Sequence, residues 1–230
     1  MAASYPGSPS SVVMDALIKK ATETPGELHI EWSVNEKVAF EVGIGASVGG
    51  ARALVTMKHV GVNVAADPLM TFAYTGVNGG FVLISADDPE MHSSQNEQDN
   101  RFYARFAQIP MLEPSDSQEA KDMTVTALEL SEVFDTPVLL RTTTRIAHSH
   151  TLVEQEPRQI KENQEPYDYK IDLGKYVMVP GNARRRRTGP HGAGPTRPPP
   201  GPPARETSRG EAARIGALPS AARPPATIPR

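Results

Sequence analysis

Glu36 lies in Ile30-Glu-Trp-Ser-Val-Asn-Glu-Lys37, where a short apolar run ends and a glycine-rich stretch begins. Ser33-x-x-Glu36 has the spacing of a capping box, in which the carboxylate returns to the Ser33 amide. The same carboxylate, held at a ligand-facing helix start and partly desolvated, could instead share a proton with a ligand nitrogen. Upstream, Ser8, Ser10 and Ser11 follow Tyr5-Pro-Gly7 and open another helix. Their hydroxyls could cap that helix or donate to an anion. Lys58-His59 follows a strand-like run and offers a cation and an imidazole to an anionic ligand, or simply to solvent. Asp87-Asp-Pro89 leads into the polar run Met91–Asn100, and Asp87, Asp88 and His92 form a conceivable metal set without any recognised spacing. His148-x-His150 lacks a third ligand, so the expected metal assignment is none. Arg101 and Arg105, with Phe102, Tyr103 and Phe106, read as an interface or core helix rather than a nucleic-acid patch.

The elements that must position these groups can be read coarsely. Apolar runs at Leu28–Ile30, Ala53–Met57, Phe81–Ser85, Pro110–Leu112 and Pro137–Leu140 are strands. They are apolar on both faces, as a buried parallel sheet requires. Helical spacing covers residues 10–22, 34–50, 61–75, 97–108 and 117–135; the last opens on Asp116-Ser-Gln-Glu119 and is followed by Pro137. Strands alternating with helices predict an α/β fold, a doubly wound, mainly parallel sheet. Ligands in such sheets sit beyond the carboxyl ends of the strands. That directs attention to residues 5–11, 31–36, 57–61, 85–100 and 141–150. Met1–Ser4 offers only a strand stub before the first helix, so the unit reads as truncated at its N-terminus.

Composition divides the 230-residue chain. Residues 1–181 carry 14 Lys and Arg against 25 Asp and Glu; residues 182–230 carry 10 Arg against 2 Glu, with 11 of the 22 prolines. The second part has no Phe, Trp, Tyr or Val and is expected to be a disordered basic tail. The expected organisation is an α/β domain over 1–150, an extended linker over 151–181 and the tail over 182–230. There is no cysteine, which excludes disulfides and Cys-ligated zinc or iron–sulfur clusters in this chain. No apolar run is long enough to span a membrane, so no membrane association and a cytoplasmic location are expected. Net charge is −3, which gives no general attraction for nucleic acid.

Several runs are more specific together than any single motif. They are Tyr5–Ser11, Glu31–Lys37, Ala53–Gly61, Asn63–Leu69, Ala86–Asn100 and Leu112–Lys121. Over roughly residues 3–186 the chain resembles the N-terminal, pyrimidine-binding domain of the large subunit of indolepyruvate:ferredoxin oxidoreductases, members of the thiamine-diphosphate-dependent 2-oxoacid:ferredoxin oxidoreductases. The resemblance implies a carboxylate that bonds N1′ of the aminopyrimidine and thereby promotes deprotonation of the thiazolium; the matching residue is Glu36. It implies that the Tyr5–Ser11 loop meets the substrate carboxylate through Ser8 and Ser10, with Ser8 standing where the family usually has Thr. It places Lys58 and His59 at the cofactor. It implies an aryl 2-oxoacid substrate, coenzyme A as acyl acceptor, and as partners a small subunit, ferredoxin, and diphosphate-binding and ferredoxin-like domains. The Gly-Asp-Gly…Asn motif for magnesium and the cysteine quartets are absent here, so the chain alone is expected to be inactive. The resemblance fades after Asn182–Arg186. The remaining residues read either as a shifted frame in GC-rich coding sequence or as a genuine basic tail that binds an acidic partner or nucleic acid, in which case the chain is a non-catalytic interaction module.

Overall fold

The computed structural model describes residues 1–155 and 167–188. The described residues belong to the unit Met1–Thr196, and the expected tail beyond 188 lies outside them.

Six strands form one sheet: β1 (Ala2–Ser4), β2 (Ile30–Trp32), β3 (Ala53–Lys58), β4 (Phe81–Asp87), β5 (Met111–Leu112) and β6 (Val138–Thr143), in the order β2-β1-β3-β4-β6-β5. Every pairing is parallel, which meets the expected fold class. The N-terminal stub is an interior strand. Ala3 pairs with Glu31 on one side and Val55 on the other, and Ala2 and Ala3 are fully buried.

Helices cover both faces: α1 (Ser11–Glu23) and α6 (Ser117–Phe134) on one, α2 (Glu36–Val48), α3 (His59–Val64), α4 (Ala66–Thr75) and α5 (Arg101–Ala107) on the other. The larger core sits under the second group. Phe40, Phe72 and Phe81 meet edge to face there, with centroids 4.9–6.1 Å apart. Gly43 lets α2 lie close on the sheet. A Cβ there would meet Phe81 Cε2 at 2.9 Å, so the small residues of this helix admit sheet side chains.

Two sequence boundaries move for physical reasons. The helix expected over 61–75 is two helices that break at Ala65, which places Pro68 in the first turn of α4, where its missing N–H costs nothing. The strand expected to end at Leu140 continues through Arg141, Thr142 and Thr143, paired with Ser85, Ala86 and Asp87.

Short helices lie on both sides of the boundary expected between linker and tail. After a short turn, α7 (Thr144–His148), the chain returns as α8 (Leu173–Tyr176) and α9 (Pro180–Thr188). Asp135, at the end of α6, receives Lys175 Nζ at 3.0 Å and Arg186 Nη2 at 2.7 Å. Arg186 also donates to the Tyr74 and Thr75 carbonyls, and Arg187 to the Tyr74 hydroxyl. Arg186 and Arg187 of the basic run are therefore bound to the acidic domain. Among the described residues, no helix is long and apolar enough to cross a membrane.

Candidate functional site

The carboxyl ends of β1, β2 and β3 form one corner. Glu36 is the first residue of α2, and the expected capping box does not form. Asn35 is the cap, its side chain accepting from the Val38 amide at 2.9 Å. Ser33 Oγ turns to Glu31 at 3.4 Å, while the Ser33 amide donates to the Ser4 carbonyl. The Glu36 side chain is released to lie against Gly61 in α3. A Cβ at 61 would sit 2.6 Å from Glu36 Cγ and 2.7 Å from Oε1, so only glycine leaves room for the carboxylate. Glu36 is half-buried, and among the described residues its carboxylate has no hydrogen-bond or ion-pair partner.

The Tyr5–Ser10 loop crosses the same corner. Ser10 is fully buried and donates to the Gly7 carbonyl at 2.6 Å, so it shapes the loop from behind. Nor does it cap α1, since it makes no side-chain cap bond. Ser11 holds the loop as well, accepting from the Gly7 amide at 2.9 Å. Ser8 differs. It is exposed, and among the described residues its hydroxyl is unengaged. Gly7 packs on Lys58; a Cβ at 7 would lie 3.2 Å from Lys58 Cβ.

Lys58 and His59 bind the long polar loop. Lys58 Nζ donates to the Ser93 carbonyl at 2.7 Å. His59 Nε2 is 3.1 Å from the Asn96 carbonyl, to which it donates. Gln98 and Asn100 donate to the His59 carbonyl at 2.8 and 3.0 Å. His59 is fully buried, and its Nε2 fastens the loop. Among the described residues, two buried side-chain atoms lack a protein partner, Thr56 Oγ1 and His59 Nδ1, and both belong to this β3–α3 corner.

The carboxyl ends of β4 and β6 are saturated by contrast. Asp87 accepts from Arg141 Nε at 2.7 Å, Ser85 Oγ at 2.8 Å and the Asn100 amide at 3.1 Å; Arg141 also pairs with Glu113. Asp88 accepts from the Ser93 amide, the Ser94 and Thr144 hydroxyls and the His92 amide. Burial alone would raise its carboxyl, but these donors together outweigh burial and hold it far below the usual carboxylate range. Asp87 and Asp88 are thus structural anchors. No group of three or more His, Asp or Glu among the described residues could hold a metal ion, and the conceivable set of Asp87, Asp88 and His92 does not assemble. His148 turns to a shallow groove of about 460 Å³ with His92 and Arg145, without His150. Sequence reasoning missed the Asp87–Arg141 pair altogether. Its one signal was an arginine directly after four apolar strand residues.

Known proteins are consistent with this geometry. Residues 1–191 match the family described as pyruvate flavodoxin/ferredoxin oxidoreductase, thiamine diphosphate-binding. The indolepyruvate oxidoreductase subunit IorA of Archaeoglobus fulgidus is 56% identical over 154 residues, 66% of this chain and 25% of that protein. IorA of Pyrococcus abyssi is 50% identical over 181 residues, 77% and 28% of the two chains. The chain therefore spans about a quarter to a third of the length of these curated relatives. In fold it resembles a 2-oxoglutarate:ferredoxin oxidoreductase from Magnetococcus marinus (TM-score 0.55, 16% identity, 78% of this chain and 34% of that one). It also resembles benzoylformate decarboxylase from Polynucleobacter necessarius (TM-score 0.52, 13% identity, 71% and 30%). The match over residues 1–191 makes this chain a member of the thiamine-diphosphate-binding pyruvate flavodoxin/ferredoxin oxidoreductase family.

Proposed function

We propose that the chain supplies the pyrimidine side of a thiamine diphosphate site in a 2-oxoacid:ferredoxin oxidoreductase of the indolepyruvate type. The observation that carries this reading is the Glu36 carboxylate, lodged against Gly61 at the carboxyl edge with no partner among the described residues. The corner fits the group. It offers an acceptor carboxylate for a ring nitrogen, two buried polar atoms without protein partners, and a glycine cradle. Thiamine diphosphate, when bound, supplies the nucleophile and electron sink for loss of carbon dioxide from a 2-oxoacid. In this reading Glu36 holds the proton at the pyrimidine nitrogen. The Ser8 hydroxyl meets the substrate, Ser10 fixes the substrate loop, and Lys58 and His59 form the wall beside the cofactor. Magnesium, the diphosphate-binding part, the iron–sulfur domains, a small subunit, ferredoxin and coenzyme A belong to the rest of the assembly. The substrate is an aryl 2-oxoacid, the site of work is the cytoplasm, and the chain alone is inactive.

The test combines this chain with the remaining domains of a related oxidoreductase and follows thiamine diphosphate binding by calorimetry with magnesium, then turnover. Binding is expected in the mixture only. Glu36→Gln should lower turnover by at least 10²-fold while unfolding free energy changes by no more than about 1 kcal/mol, since the carboxylate stabilises α2 only through the helix dipole. Undiminished turnover in Glu36→Gln would remove the reading.

A further inference from the structure

Lys58 has a setting that the cofactor reading does not use. In an acidic domain it stands without a carboxylate within 4.0 Å among the described residues, as do Lys19 and Lys170, whereas Lys20, Lys37, Lys121 and Lys175 each have one. Its ammonium is placed by a relay. Asp88, anchored through Thr144 at the end of β6, accepts from the Ser93 amide at 2.8 Å. The fixed Ser93 carbonyl then receives Lys58 Nζ at 2.7 Å. An ammonium has three donors, so two are left over. On its other side the Lys58 stem packs against Gly7, the residue before Ser8, whose hydroxyl is exposed and unengaged among the described residues. Two N–H donors on a placed cation, with the hydroxyl of the residue after Gly7, are the equipment for a single carboxylate.

We propose that Lys58, with Ser8, binds the carboxylate of the 2-oxoacid, and that the polar loop from Asp88 to Asn100 exists to hold Lys58 in place. The inference rests on the reading of the chain as part of a 2-oxoacid oxidoreductase, and it moves Lys58 from the cofactor to the substrate. A point charge on a flexible stem recognises charge and tolerates shape, so Lys58 selects for the acid function and leaves the choice of side chain to other surfaces.

Two measurements separate this proposal from the function on which it rests. The full 230-residue chain, with its lysine side chains labelled for nuclear magnetic resonance, is titrated with phenylpyruvate and separately with its methyl ester. The acid should shift the Lys58 ε resonances and leave Lys20 and Lys37 unmoved; the ester should shift none of them. Equal shifts with acid and ester, or a still Lys58, overturn the proposal whatever the assembled enzyme does. In the assembled enzyme, Lys58→Met should raise KM for the acid by at least tenfold with thiamine diphosphate affinity unchanged, and Lys58→Arg should restore KM to within a few-fold. A purely structural Lys58 would instead lower kcat and thiamine diphosphate affinity together, and that outcome also overturns it. Failure of the assembly to bind thiamine diphosphate, with the Lys58 shift intact, counts against the oxidoreductase reading and leaves the carboxylate site standing.

Discussion

The two halves of the sheet's carboxyl edge treat their polar groups in opposite ways. At β4 and β6 the Asp87, Asp88, Asn100 and Arg141 side chains form bonds within the fold. At β1, β2 and β3 the Glu36 carboxylate, the Ser8 hydroxyl, Thr56 Oγ1 and His59 Nδ1 have no protein partner among the described residues. A buried polar group left unmade costs about 1–3 kcal/mol, a cost that falls here on Thr56 Oγ1 and His59 Nδ1, since Glu36 is half-buried and Ser8 exposed. Both halves carry acidic residues just past a strand, and residue type alone does not separate them. The state of satisfaction does: one half is architecture, and the other is where the proposed binding falls.

The largest test of that contrast is Asp87→Ala. It leaves the Arg141 guanidinium, 6% exposed, without its buried counter-charge and with only the more exposed Glu113 and Asp99 beside it. Unfolding in urea should show a loss of about 3–5 kcal/mol. If stability held and only ligand binding fell, the β4–β6 half would be functional after all.

Asp88 sharpens the contrast through pH. Its folded carboxyl lies below the unfolded value of about 3.9, so the stability it adds is fully present above that value and is lost as pH falls toward the folded pKa. Wild type should exceed Asp88→Asn by about 1–3 kcal/mol, constant from pH 5 to 8 and shrinking below pH 4, as read from urea midpoints. A gap that changed between pH 5 and 8 would mean that the loop donors do not dominate this carboxylate.

Much of the fold was legible because hydrophobic runs announce buried strands. Phe81–Ser85 and Ala53–Met57 are where the pattern puts them. The polar ends of the same strands were not legible. Arg141 belongs in β6 because Asp87, 54 positions away, neutralises it, and no local rule carries that information. The arginines near 186 read as tail by composition, yet Arg186 is captured by Asp135 from 51 positions away. In the candidate site, Glu36 was visible as a helix start. Its relation to Gly61 was not, because the cradle is a glycine on another helix. Ser8 and Ser10 looked equivalent in sequence; the turn that buries Ser10 and exposes Ser8 distinguishes them.

The smallest effect concerns which residue caps α2, and it bears directly on whether Glu36 is free. With Asn35 Oδ1 accepting from the Val38 amide, Asn35→Ala should cost about 0.5–2 kcal/mol. Ser33→Ala should cost less than about 0.5 kcal/mol, because its hydroxyl reaches only Glu31 at 3.4 Å. The reverse order would restore the box between Ser33 and Glu36. A Glu36 carboxylate folded back on the Ser33 amide could not also point at Gly61. The chemistry of the whole corner thus depends on a modest difference between two neighbouring polar residues, measurable in one pair of denaturation curves.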